Sequence, residues 1–79
     1  MYYVYILLCA DGKYYVGCTR DYKDRMSRHQ RGEVNYTSTR LPVELKAIIA
    51  LPDQYVALRL EDYLKTGSGR AFALRHLLR

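Results

Sequence analysis

Tyr2-Tyr3-Val4-Tyr5-Ile6-Leu7-Leu8-Cys9-Ala10-Asp11-Gly12-Lys13-Tyr14-Tyr15-Val16-Gly17-Cys18-Thr19 is the stretch whose reading decides the fold. Tyr2 to Cys9 is a run of strand formers apolar on both faces, which suits a strand covered on both sides. Lys13 to Thr19 reads as a second strand, joined to the first by Ala10-Asp11-Gly12. That tripeptide fits a three-residue hairpin loop, a type I turn with Gly12 in the left-handed position, and pairs Cys9 with Lys13. The register then sets Leu7 opposite Tyr15 and Tyr5 opposite Gly17. Tyr3, Tyr5, Leu7, Lys13, Tyr15, Gly17 and Thr19 fall on one face, with Tyr5 and Tyr15 diagonal neighbours roughly 7 Å apart at Cβ. Gly17 has no side chain, so a gap is expected opposite Tyr5 where a ligand approaches the backbone. A two-residue loop would shift the register by one and part the two tyrosines.

Working outward, Asp21 is placed to cap a helix from Tyr22 to about Arg31, ended by Gly32. Tyr22, Arg25, Met26 and His29 make one stripe on it, while Lys23, Asp24, Ser27 and Arg28 face elsewhere. Residues 32–42 read as a polar, basic connection ending in Pro42, and Val43 to Leu51 as a third strand. Asp53 caps a second helix, from about Gln54 to Lys65, whose apolar stripe includes Val56, Ala57, Leu60 and Leu64. Glu61 lies about 40° around from Ala57, so its carboxylate borders the buried face. Gly67-Ser68-Gly69 reads as a break before a short amphipathic helix to about Leu78, on which His76 is a surface residue. The result is an α+β architecture: a three-stranded, mainly antiparallel sheet flanked by helices, taken as a single domain over 1–79.

The composition agrees, since 49% hydrophobic and 27% charged residues in 79 is that of a soluble globular chain. Tyr2 to Ala10 is too short for a membrane span and lacks the basic flank of a signal peptide, so a cytoplasmic protein with no membrane partner is expected. Cys9 and Cys18, with His29 and His76 elsewhere, do not make the paired C-x2-C spacing of a structural zinc site and are read as buried, inert thiols. The net charge of +5 is concentrated in residues 13–40 and 65–79, on either side of an acidic middle. Nine of the thirteen basic residues are Arg, suited to bidentate phosphate contact, and nine Tyr supply rings that stack on unpaired bases. A polyanion is the partner this favours.

Tyr3-Val4-Tyr5, Tyr15-Val16-Gly17, Arg25, His29 and Glu61, in that order and spacing, resemble the GIY-YIG nuclease superfamily. The pattern looks closest to its small, stand-alone, UPF0213-like members. Theirs is YVYIL, an Asp-Gly turn, YxG, D-x-x-x-R-x-x-x-H, T-x-x-R-x-P-V-E-L, R-x-E-x-x-L-K and a terminal G-x-G-R. It is met here by Asp21, Arg25, His29, Thr37, Arg40, Pro42, Val43, Glu44, Leu45, Arg59, Glu61, Leu64, Lys65, Gly67, Gly69 and Arg70. Two departures stand out. Tyr3-Val4 replaces the Gly-Ile of the superfamily's name, and the Asn that larger relatives use after the Glu helix does not occur between Glu61 and Arg79, which leaves Thr66 or Ser68 as candidates for its role.

The resemblance implies a divalent-metal-dependent endonuclease acting on DNA, in repair or processing, with one Mg²⁺ or Mn²⁺ per site held by Glu61. It also implies roles for the matched residues. Tyr5 is the general base on the attacking water, and Tyr15 positions the water or the scissile phosphate. His29 relays a proton or orients Tyr5, and Arg25 holds the phosphate. These residue types suit the reaction, which needs an activated water, a polarised phosphoryl oxygen and cations for the developing charge. Tyrosine's ordinary pKa near 10 makes help from neighbouring cations obligatory at neutral pH. Lys13, Arg28, Thr37, Ser38, Arg40, Lys65 and Arg70 are the candidate nucleic-acid contacts. Lys13 is also placed to assist Tyr5, and Lys65 to Arg70 to form a nest of backbone amides. Gly12 and Gly17 are the structural glycines. The active site is expected on the sheet face that carries Tyr5 and Tyr15, with single-stranded or branched DNA preferred. The alternatives are a non-catalytic nucleic-acid-binding module on the same fold, and a protein-interaction domain with a tyrosine-rich patch. No protein partner is predicted.

Overall fold

In the computed structural model, which describes residues 1–78, β1 (Tyr2–Leu8) and β2 (Tyr14–Thr19) form the expected hairpin. Gly12 has a φ of 84° and donates its N–H to Cys9 C=O at 3.0 Å, while Cys9 N–H donates to Lys13 C=O at 2.8 Å. The ladder pairs Leu7 with Tyr15 and Tyr5 with Gly17, so the register read from the turn holds. β3 (Glu44–Leu51) pairs antiparallel with the other side of β1, giving the order β2-β1-β3, with one irregularity between Ile6 and Leu7. The sheet is antiparallel throughout.

Because β1 is central, its alternation sends side chains into two separate interiors. Val4 and Ile6 pack with Ala57, Leu64 and Ala73 from α3 (Gln54–Leu64) and α4 (Gly67–His76). Tyr5 and Leu7 pack with Cys9 and Val43 and with Met26 of α1 (Tyr22–Gln30), and Tyr22 meets Tyr3 edge-on at 5.0 Å. The sheet thus has α1 on one side and α3 with α4 on the other. Asp21 accepts from Asp24 N–H at 3.0 Å, and Asp53 accepts from the N–H groups of Tyr55 and Val56 at 2.8 and 3.1 Å, so both expected caps are made.

The structure departs from the sequence reading in four places. The connection after α1 contains a helical turn, α2 (Asn35–Ser38), too short to reveal itself by periodicity. Gly67-Ser68-Gly69 is not a break. Thr66 caps α4, accepting from Gly69 N–H at 3.0 Å, and the helix runs straight through the glycines. Gly69 is buried, and a Cβ there would collide with the backbone of Tyr63 and Leu64, so it serves close packing of α3 on α4. Val56, read as part of the apolar stripe, is instead 38% exposed. Cys9 is buried as expected, but Cys18 is only half-buried. No helix among the described residues is long and apolar enough to cross a membrane.

Candidate active site

Tyr5, His29 and Thr37 form a hydrogen-bonded chain on the α1 side of the sheet, and none has exposed surface. Thr37 Oγ1 lies 3.3 Å from Val34 C=O, which only accepts, so the hydroxyl gives its single proton there. Thr37 Oγ1 then accepts from His29 Nδ1–H at 2.7 Å. A neutral imidazole has one N–H, so Nε2 carries a lone pair and accepts from the Tyr5 hydroxyl at 3.0 Å. Burial, with the Arg25 and Arg28 guanidiniums, holds the His29 pKa below its ordinary value and keeps the ring neutral. Burial and the neighbouring Tyr15 push the Tyr5 pKa up to about 12, against a partial lowering by Arg25. Tyr5 therefore rests as a neutral phenol.

Gly17 is what lets Tyr5 lie there. The Tyr5 ring and hydroxyl occupy the space that a Cβ on Gly17 would fill. The gap expected opposite Tyr5 is therefore closed by Tyr5 itself, not left for a ligand. Tyr15 completes the cluster, with its ring 6.2 Å from Tyr5 and 5.1 Å from His29.

Glu61 does not share that face. It projects from α3, on the opposite side of the sheet, and meets Arg25 of α1 only at the edge of β2. There the two line one hollow of about 270 Å³ with Cys18, Thr19 and Arg20. Of the candidate catalytic residues only Arg25 and Glu61 line this hollow, beside the outer strand β2; Tyr5 and His29 stay buried on the α1 side, and Tyr15 lines a separate cleft. The Glu61 carboxylate, with its side chain 17% exposed, accepts from Lys65 Nζ at 3.0 Å. No three His, Cys, Asp or Glu side chains cluster among the described residues. One carboxylate oxygen donor in an open hollow fits a hard ion that keeps most of its waters and takes phosphate oxygens, and does not fit a closed protein cage.

The expected nucleic-acid contacts divide. Lys13, Lys65 and Arg70 line a cleft of about 730 Å³ running along the first half of β2. Thr37 is not in a channel; it is buried behind His29. Arg40 is engaged at the hairpin tip, donating to Asp11 at 2.9 Å and lying 4.1 Å above the Tyr36 ring. Arg28 sits 3.7 Å from Glu33, and Ser38 donates to Asn35 C=O at 2.9 Å; neither lines the cleft or the hollow. Thr66, one candidate for the missing Asn, is occupied as the α4 cap, with its hydroxyl donating to Tyr63 C=O at 2.6 Å; Ser68 is exposed. Tyr14 and Tyr36 also line the cleft and Cys18 the hollow, which the sequence reading does not assign to them. Alternation puts Tyr14 and Cys18 on the face opposite Tyr15, the face that α3 and α4 cover. Tyr36 depends on α2, which left no signal.

A family model described as the GIY-YIG catalytic domain matches residues 1–73. A UPF0213 protein of Lacticaseibacillus paracasei is 46% identical over 65 residues, 81% of this chain and 73% of that one. A UPF0213 protein of Streptococcus agalactiae is 39% identical over 70 residues, 87% and 80% of the two chains. The solution NMR structure of a UPF0213 protein from Bacillus halodurans superposes with a TM-score of 0.61 at 35% identity, covering 95% of this chain and 84% of that chain. GIY-YIG domains are generally endonucleases that use divalent metals, while the UPF0213 name carries no specific activity. With the GIY-YIG domain matched over residues 1–73 and UPF0213 relatives similar over most of its length, this chain belongs to the GIY-YIG superfamily, among its UPF0213 members.

Proposed function

We propose that this protein is a cytoplasmic, divalent-metal-dependent endonuclease of one GIY-YIG domain that hydrolyses DNA, with single-stranded or branched DNA as its substrate. One observation carries the reading: Glu61 and Arg25, from opposite helix layers, share one hollow beside the strand that holds Tyr15 and Gly17. A carboxylate next to a phosphate site repels its ligand unless a cation intervenes, so a module that only bound DNA would gain nothing from Glu61 there. Glu61 would hold Mg²⁺ or Mn²⁺, which when bound supplies Lewis-acid polarisation of a phosphoryl oxygen.

The other roles fall to the chain's own groups. Arg25 holds the scissile phosphate and offsets its developing charge. Tyr15, half-buried at the edge of β2, orients the attacking water. Tyr5 has no exposed surface in this structure, so substrate binding must first open a path from the β2 edge to its hydroxyl. Tyr5 then accepts a proton from that water while passing its own to His29 Nε2, and Thr37 keeps Nδ1–H engaged so that Nε2 stays a lone pair. The proton is conserved through the chain: water O–H to Tyr5 O, Tyr5 O–H to His29. This route avoids a free tyrosinate, which the raised Tyr5 pKa disfavours. A second reading, a non-catalytic nucleic-acid-binding module, is favoured by the Lys65–Glu61 ion pair, which is how Glu61 would look as an ordinary helix-surface residue.

The test is incubation of the wild type and Glu61→Ala with single-stranded, duplex and branched DNA, with Mg²⁺, Mn²⁺ or a chelator. Cleavage by the wild type alone, and only with metal, is expected. If neither protein cuts while both bind with the same salt dependence, the binding module is the correct reading.

A further inference from the structure

The larger cleft holds none of Tyr5, Arg25, His29 or Glu61, and shares only Tyr15 with the candidate catalytic residues. Its floor is apolar, built from Ile6, Val16 and Ala73. Its walls leave apolar surface in contact with water: Tyr14 is 37% exposed, Tyr36 39% and Leu74 52%. Its rim is cationic, with Lys13, Lys65 and Arg70, of which Lys13 and Arg70 make no ion pair among the described residues. Exposed rings and an apolar floor under unpaired cations describe a ligand with a flat hydrophobic body and an anionic backbone.

We infer that this cleft seats one unpaired nucleotide of a single-stranded nucleic acid, its base on the apolar floor beside Tyr14 and Leu74 and its phosphates on Lys13 and Arg70. The volume of about 730 Å³ lies within the range of small-molecule sites, roughly 300–1,000 Å³. A duplex keeps its bases stacked inside and must flip one out to fill such a cleft, whereas a single strand has its bases free. Tyr14 and Tyr15 on β2 precede Cys18, which lines the Arg25–Glu61 hollow, by three to four residues, a distance of about 10–13 Å along a strand. A base held there would therefore deliver a nearby phosphate to the Arg25–Glu61 hollow. An acidic peptide shares the charge but offers no continuous flat face for the rings.

The link to cleavage rests on the nuclease reading; the binding test does not. The full chain, in chelator, is titrated by fluorescence anisotropy with a short single-stranded oligonucleotide and with the same backbone made wholly abasic. Further titrations use the duplex, the ribonucleotide version and an oligoglutamate. The base-containing strand is expected to bind about tenfold more tightly than the abasic one, the size of one base–aromatic stacking contact. Tyr14→Ala brings that ratio toward one. So does Leu74→Gln, which alters a surface residue and leaves the core intact. Lys13→Ala weakens both strands alike and flattens the salt dependence. Base dependence with either sugar supports the site, and the tighter of the two names the sugar. Equal affinity for abasic, duplex or oligoglutamate ligands, or no saturable binding, overturns it. DNA cleavage with base-independent binding removes the pocket and keeps the nuclease. Base-dependent binding without cleavage in Mg²⁺ or Mn²⁺ does the reverse.

Discussion

The two sides of β1 are equally buried and held by different physics. Val4 and Ile6 on one side, and Tyr5 and Leu7 on the other, are all at most 2% exposed. The side toward α3 and α4 is filled by aliphatic volume, with Ala57, Ala73 and Gly69 admitting close helix contact. The side toward α1 encloses three polar groups whose donors and acceptors are all matched. An apolar interior tolerates any sequence of the right volume, whereas a buried polar chain tolerates only the right protons. The first side supplies stability; the second fixes one arrangement of Tyr5.

Gly69→Ala should produce the largest effect and break the apolar side alone. A Cβ at 69 meets the backbone of Tyr63 and Leu64, which cannot swing away as a side chain would. α4 must lift off α3, at a cost of about 3 kcal/mol or more, the upper range for overpacking. In a chain this short, that is most of the total stability. Urea denaturation should show the variant largely unfolded. A shift below about 1 kcal/mol would mean that α3 and α4 are not packed at this closeness.

Much of this contrast is legible in the sequence, and the part that is not has a physical cause. Alternation along Tyr2 to Leu8 and the Asp11-Gly12 turn settle which residues share a face, because a register is a matter of counting. Counting cannot say that Tyr5 fills the space over Gly17, since the same glycine is compatible with a ligand gap and with a ring. Nor can it tell a helix start from a break at Gly67-Ser68-Gly69, where the deciding contact is with α3. Thr37 carries the polar chain from a four-residue helical turn, and nothing local distinguishes a buried threonine from an exposed one in Asn35-Tyr36-Thr37-Ser38. The spacing from Ala57 sets Glu61 at the border of the buried face, where its side chain is half-buried, but that it shares a hollow with Arg25 beside β2 is a property of strand order.

Next in size is Thr37→Val, which keeps the shape and removes both hydrogen bonds of the hydroxyl. His29 Nδ1–H is left unpaired in the interior, at a cost of about 1–3 kcal/mol, while Thr37→Ser restores most of it. The stability loss alone would fit any buried threonine, so the ¹⁵N chemical shifts of the His29 ring are the sharper readout. They should report the Nδ1–H tautomer in the wild type and Thr37→Ser, and a shift toward Nε2–H in Thr37→Val. Nε2–H in the wild type would reverse the direction of the chain, and Tyr5 would no longer have an acceptor for its proton.

The same side should make stability depend on pH where the apolar side cannot. The folded pKa of His29 lies below its unfolded value of 6.5, so between the two the unfolded chain binds more protons. Stability therefore rises with pH through that window, is complete above 6.5 and is lost as pH falls through the folded pKa, with a slope of at most about 1.4 kcal/mol per pH unit. The lowered carboxyls of Asp11 and Glu33 act at more acid pH, below about 4.5. Urea midpoints between about pH 5 and pH 7.5 should climb and then level. A midpoint that falls over that range would mean that His29 is charged in the fold.

Lys65→Met should change stability least and bears most on what joins the two sides. The Lys65–Glu61 pair is exposed at the lysine and spaced i, i+4, worth about 0.3–0.5 kcal/mol, which corresponds to a melting shift of about 2–3 °C. Lys65 is nevertheless the only cation hydrogen-bonded to the Glu61 carboxylate among the described residues. An arriving Mg²⁺ or Mn²⁺ must share that oxygen with an ammonium or displace it, so removing the ammonium should strengthen Mn²⁺ binding several-fold. Paramagnetic broadening of amide signals around Cys18 and Glu61 would measure this without reference to cleavage. If Mn²⁺ broadens neither protein there, Glu61 is only the partner of Lys65. The apolar side then contributes packing alone, and whatever chemistry the chain performs is confined to the residues that α1 brings to Tyr5.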